Sequence, residues 1–365
     1  MRTPLLLVAM WMMIAAQAPA AAQAPAAAQA APDEPALVFL LGGQSNMEGV
    51  GSVNGLPAPY DAPLPAVQIW RHSSASFTDL APGFGNGGVA DGGANKFGPE
   101  LAFGHEMATL YEGQDIYLIK YAVSGTDLAN DWDPDGNNNP QYDTFNQRVS
   151  AALADLDTAG VEYEIAGMLW MQGERDARSD TAGPAYGDNL ADFVEDMRDH
   201  YGDDLHFVLG RLHDQLPAVY THAHDVRDGQ ADTADADLRM AYVDTDEFQV
   251  NGDSIHFGQT GQLSLGAGFA QQMHALMTMH ANADINQDGF VGVEDLDILL
   301  AHWGNNTATL AQGDVNADGT VGETDLNVVL ANWSNGTPPE PAVPEPATAL
   351  SLGGLLLLCS RGGVR

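Results

Sequence analysis

Five short apolar runs, separated by stretches of helical periodicity, constrain this chain more than any other feature. They are 36–41, 115–122, 164–171, 206–210 and 241–244. Each is the length of a strand buried on both faces, as in a parallel sheet. Between them, Leu190, Phe193, Val194 and Met197 recur at helical spacing within 186–201, and a last helix is expected from about Gln259 to about His280. Strand–helix alternation of this kind predicts an α/β fold, a parallel sheet with helices on both faces. Such sheets bind their ligands beyond the carboxyl ends of the strands.

Those ends carry the chemistry. After the first run stands Gly43-Gln44-Ser45-Asn46-Met47, a serine on a glycine-flanked turn where a hydroxyl can be presented. After the second stands Ser124-Gly125-Thr126, and at the end of the third Trp170-Met171-Gln172-Gly173-Glu174-Arg175-Asp176. Beyond the last strand lies Asn251-Gly252-Asp253-Ser254-Ile255-His256. A serine hydroxyl is a weak nucleophile that needs an oriented base. The spacing of Asp253 and His256 lets the carboxylate reach the imidazole within one turn. His213-Asp214 and His222-Ala223-His224-Asp225 are rival pairs.

With Phe97-Gly98-Pro99-Glu100, these blocks resemble the SGNH hydrolase superfamily, and within it the carbohydrate acetylesterases related to sialate O-acetylesterase and acetylxylan esterase. The resemblance spans roughly residues 36–280 and implies a three-layer SGNH-type fold. It implies Ser45 as nucleophile, Asp253 and His256 as acid and base, and an oxyanion hole from the Ser45 N–H, the Gly125 N–H and the side-chain amide of Gln172. It also implies an acetylated carbohydrate as substrate and no cofactor for catalysis. The family often reads Gly-Gly-Thr where this chain reads Ser124-Gly125-Thr126. Glu174 and Asp176 have a structural or substrate-positioning role. A lipase or thioesterase of the same superfamily is the alternative enzyme, and a non-catalytic carbohydrate-binding surface protein the alternative of another class.

The chain has 365 residues, with 50 acidic side chains against 13 basic ones and a formal net charge of −37. That balance argues against a nucleic-acid partner and against electrostatic binding to anionic membranes.

Past the last helix the sequence repeats with a period of 30. Asp284, Asn286, Asp288, Phe290 and Asp295 are echoed by Asp314, Asn316, Asp318, Thr320 and Asp325, with Gly289 and Gly319 at the sixth loop positions. Oxygen donors at positions 1, 3, 5, 7 and 12 of a loop with glycine at 6 suit calcium. Residues 284–336 resemble a small α-helical dockerin-like module, which implies structural Ca2+ and a cohesin-like receptor. Asp131-Trp132-Asp133-Pro134-Asp135-Gly136 imitates such a loop, but Tyr142 stands at its twelfth position. It reads as a polar loop over the cleft, with Trp132 free either to stack on a sugar or to pack the loop.

Both termini read as addresses. Arg2, the apolar stretch Leu5–Ala16 and the Ala/Gln/Pro tract ending at Ala28-Gln29-Ala30 form a signal peptide over residues 1–30. Residues 337–365 form a Pro-rich linker and an apolar stretch ending in arginine, resembling a PEP-CTERM sorting tail. That resemblance implies a sorting protease and a place at the cell surface or outside the cell. The single cysteine, Cys359, allows no internal disulfide.

Overall fold

The structure, a computed structural model, describes residues 34–83, 95–134 and 140–333. The signal peptide, the sorting tail with Cys359, and Asp135-Gly136 lie outside the described residues. The described residues from Pro35 onward form one compact unit.

The elements run β1 (Ala36–Gly43), α1 (Ser45–Glu48), β2 (Gly51–Ser52), β3 (Leu64–Arg71), β4 (Ser76–Leu80), β5 (Lys96–Phe97) and α2 (Glu100–Leu110). They continue with β6 (Ile116–Ala122), α3 (Pro140–Ala159), β7 (Tyr163–Met171), α4 (Tyr186–Tyr201), β8 (His206–Gly210), α5 (Ala223–Asp235), β9 (Met240–Val243) and α6 (Gln259–Ala281). Two short helices, α7 (Val293–Ala301) and α8 (Glu323–Ala331), follow.

Seven strands form the main sheet in the order β4-β3-β6-β1-β7-β8-β9. All neighbours are parallel except β4, which returns antiparallel to β3 at one edge. The five apolar runs are its central and far strands. Central β1 is buried along its whole length, because helices cover both faces. Alternation along β7 shows the two faces. Gly167 lies against Met273 of α6, while Trp170 packs on Phe193 of α4 with ring centroids 4.5 Å apart. Phe39 of β1 meets Phe103 of α2 on the α6 side. The result is three layers, helix–sheet–helix.

The expectation of a wholly parallel sheet is therefore corrected at one edge. The hairpin β3–β4 was not anticipated, because Pro65 interrupts β3 and β4 carries Ser76, Thr78 and Asp79. An edge strand tolerates both features, since one side of it needs no partner. A second small sheet pairs β2 with β5. No helix among the described residues is long and apolar enough to cross a membrane.

Candidate active site

Gly43 ends β1 with φ 140°, and a Cβ there would collide with the carbonyl oxygen of Met171 at the end of β7. Only glycine allows the chain to turn so close to its neighbour. Gln44 N–H then donates to Met171 O at 2.9 Å, and Ser45 opens α1.

The Gln44 side chain binds this turn to the third block. Its Oε1 accepts from the backbone N–H of Arg175 at 3.2 Å and from Gln172 Nε2 at 3.3 Å. Asn46 binds it to the fourth. Asn46 Nδ2 donates to Ile255 O at 3.1 Å and to Glu174 Oε1 at 2.6 Å, while its Oδ1 accepts from Phe257 N–H at 2.9 Å.

Asp253 and His256 are thereby held over the serine. His256 Nε2 lies 3.0 Å from Ser45 Oγ, and His256 Nδ1 lies 2.8 Å from Asp253 Oδ2. Asp253 Oδ1 accepts from the N–H groups of Ile255 and His256, each at 3.0 Å. Burial alone would raise the Asp253 pKa, but the hydrogen bonds from His256 and Ile255 outweigh it and hold the group down at about 2. An ionised Asp253 fixes the imidazole proton on Nδ1 and leaves Nε2 to accept the serine proton.

Next to the serine, the N–H groups of Ser45 and Gly125 have no acceptor among the described residues. Gly125 follows β6 in the left-handed region, φ 76°. Its neighbour Ser124, where the family often has glycine, is clamped by Glu48. Both the Ser124 N–H (2.9 Å) and its hydroxyl (2.5 Å) donate to Glu48 Oε2.

Gln172 departs from the expectation. Its side chain is fully buried, and its Nε2 faces three interior acceptors: Asp176 Oδ2 at 2.6 Å, Thr126 O at 3.1 Å and Gln44 Oε1. Tyr186 Oη donates to its Oε1 at 3.1 Å. An amide with two N–H groups so engaged has none left for an oxyanion, so Gln172 is a positioning residue for Gln44 and the Thr126 turn. Asp176, also buried, accepts from Leu128 and Ala129 N–H groups; burial pushes its pKa up to about 6. Glu174 is 2% exposed, its Oε2 has no partner, and burial raises its pKa.

Ser45, Gly125, Glu174 and His256 line a cleft of about 420 Å³ at the carboxyl end of the sheet. A larger groove, about 880 Å³, runs between α4 and α5, lined by acids including Asp188, Glu195, Asp228 and Asp232. It holds no nucleophile with a base, so chemistry and not size locates the site. The rival histidines bind carboxylates: His222 meets Asp225 at 2.7 Å and Asp180 at 3.1 Å, and His213 lies 3.8 Å from Asp214. Trp132 is fully buried among Tyr121, Phe145 and Trp170, its Nε1–H donating to Thr126 Oγ1 at 3.0 Å, so it packs the loop and offers no sugar platform.

The repeats form the second candidate site. Their loops share one backbone path: Gln287 and Ala317 have φ 59° and 57°, Gly289 and Gly319 84° and 87°. Asp284 Oδ2 accepts from Gly289 N–H at 2.8 Å, Asp314 Oδ2 from Gly319 N–H at 3.0 Å. Asp295 and Asp325 each accept the N–H of the residue three before, capping α7 and α8. Among the described residues no three His, Cys, Asp or Glu side chains are gathered as a metal cage. The donor chemistry nonetheless fits a hard cation, and Asp314 keeps one buried carboxylate oxygen without a partner.

A family model described as carbohydrate esterase, sialic acid-specific acetylesterase, matches residues 35–275. No curated protein matches the chain. A protein of Arabidopsis thaliana shares the fold at TM-score 0.54 and 21% identity, over 66% of this chain and 99% of that one. The structure of NanS gives 0.49 and 16% over 66% and 97%. A carbohydrate acetylesterase from Xanthomonas citri gives 0.42 and 17% over 66% and 55%.

Proposed function

This chain belongs to the carbohydrate esterase family of sialic acid-specific acetylesterases, and from that premise we propose that it removes O-acetyl groups from carbohydrate through a Ser45–His256–Asp253 triad. The carrying observation is the unbroken line from Ser45 Oγ through His256 to Asp253, at 3.0 and 2.8 Å. His256 Nε2 takes the serine proton as Oγ attacks the acetyl carbonyl. Asp253 holds the imidazolium that forms. The free N–H groups of Ser45 and Gly125 receive the oxyanion. The C–O bond to the sugar then breaks, and His256 protonates the departing hydroxyl. Water, activated by the same imidazole, attacks the acyl-serine and releases acetate.

The test is acetate release from acetylated xylan and from O-acetylated sialic acid, beside long-chain ester and thioester substrates. Turnover on the long-chain esters alone would favour the lipase or thioesterase reading. Absence of any ester hydrolysis would leave only sugar binding.

The same reading has the enzyme exported and processed at its C-terminal tail, on the sequence of both termini. Calcium would be held by Asp284, Asn286, Asp288, Phe290 and Asp295, and by Asp314, Asn316, Asp318, Thr320 and Asp325. It would neutralise carboxylates that otherwise repel one another. The paired loops and the orphan oxygen of Asp314 support this. A cohesin-like receptor for the module rests on the dockerin resemblance.

A further inference from the structure

The arginines of this acidic chain are mostly spoken for. Arg198, Arg211 and Arg227 each pair with an aspartate, and Lys120 with Glu100. Arg175 and Arg178 are different. Both are exposed, and neither guanidinium has an ion pair or hydrogen bond among the described residues. Arg178 lies 5.6 Å from the Tyr220 ring centroid.

Their place is the second observation. Both line the catalytic cleft, and both also line an adjoining cavity of about 520 Å³ with Asp127, Asn130, Ser179 and Asn189. That cavity is of ligand-binding size. Its carboxylate, Asp127, is turned to its own loop, accepting from Asn130 N–H and Nδ2. The two free cations therefore stand on the boundary between the acetyl-accepting cleft and a polar cavity beside it. Elsewhere the field of a chain with net charge −37 repels anions. Guanidinium forks match carboxylates in both charge and shape.

We propose that the adjoining cavity is a second sugar subsite, and that Arg175 and Arg178 select there a carboxylate-bearing unit, a uronic acid, next to the acetylated unit at Ser45. The ligand class is thus an acidic oligosaccharide whose charge sits on the neighbour of the ester. This rests on the esterase reading of the cleft.

Two measurements test it. First, kcat/KM is compared for acetylated xylo-oligosaccharides with and without a glucuronic acid branch beside the acetylated unit. The wild type should favour the charged one by about tenfold, and R175Q/R178Q should bring the ratio close to one. Equal rates in the wild type, or a preference surviving in the variant, would overturn the subsite. The same arginine-dependent gain on O-acetylated sialic acid monosaccharide, with none on the branched oligosaccharide, would also overturn it by placing the carboxylate on the acetylated ring. Second, calorimetry follows binding of the deacetylated, glucuronate-branched oligosaccharide to the full chain. This readout needs no turnover, so failure of the esterase reading remains separate. Binding lost in R175Q/R178Q supports the subsite, and binding unchanged in the variant or absent in the wild type refutes it.

Discussion

In the proposed triad Ser45, His256 and Asp253 would act as a unit, so removing the nucleophile or the base would remove the whole. Ser45→Ala and His256→Ala should each lower kcat on 4-nitrophenyl acetate by about four orders of magnitude or more, with the circular dichroism spectrum intact. Turnover within tenfold of wild type in either variant would contradict the triad. Asp176 and Asp253 titrate in opposite senses. Asp253, depressed to about 2, adds stability above its unfolded value near 4, and loses it as pH falls toward 2. Asp176, raised to about 6, binds a proton in the folded state that the unfolded chain has released. Its contribution therefore weakens as pH rises from about 4 to about 6, by on the order of 3 kcal/mol. Asp176→Asn should flatten that part of the Tm–pH curve relative to wild type; a parallel curve would mean Asp176 titrates normally. At this scale the meeting of Ser45, Asp253 and His256 was legible, because each sits at a strand or loop end where a motif stands out, and the three side chains come within hydrogen-bond reach. Gln172 was not, because the direction of a side-chain amide depends on Asp176, Thr126 and Gln44 arriving around it. Asn46 and Gln44 flank the serine in the motif, yet only the folded chain shows that they tie three loops together.

The element that matters most is α1, one turn long. A four-residue helix has little stability of its own. Its far end is held from outside: Lys120 Nζ, salt-bridged to buried Glu100 at 2.6 Å, donates to Glu48 O at 3.0 Å. Glu48 in turn accepts from Ser124, which ties α1 to the turn that carries the Gly125 N–H, the donor proposed for the oxyanion. Removing the clamp should loosen the Gly125 N–H and act mainly on the transition state. Glu48→Gln and Ser124→Ala should each reduce kcat by about tenfold with KM changed less than twofold. A rise in KM at constant kcat would make the clamp a substrate-binding feature. Among strands, the five apolar runs were legible because their buried residues leave a nearly uninterrupted apolar signal, complete in central β1 and weakest in edge strand β9. The β3–β4 hairpin, half polar and proline-bearing, gives no such signal and emerges only from pairing with β6.

The molecule carries its repeats on the esterase itself. Their small core of Ile285, Leu299, Val315 and Val328 is completed by Leu238 and Met279 from the larger part. Arg239 Nη2 donates to Ala331 O at 2.7 Å, and Asn332 Nδ2 donates to His280 Nδ1 at 2.5 Å. The sequence showed the period of 30 but not this joint, because its contacts lie far apart in the chain. Calcium added to the full chain should raise the Tm, and Asp284→Asn with Asp314→Asn should abolish that rise. Turnover at 25 °C should stay within twofold when calcium is chelated. No calcium-dependent shift would make the loops simple solvated turns.

The joint is made at the start of the strands. Arg239, which holds the second repeat, immediately precedes β9, and Asn332 meets His280 near the end of α6. Ser45 opens at the other end of the same strands. The two repeats differ at one tryptophan: Trp333 is partly buried against the small core, whereas its counterpart Trp303 stands about half exposed. A receptor bound at Trp303, as the proposed dockerin likeness implies, would hold the protein by the end of the sheet opposite Ser45 and leave the cleft facing away from it.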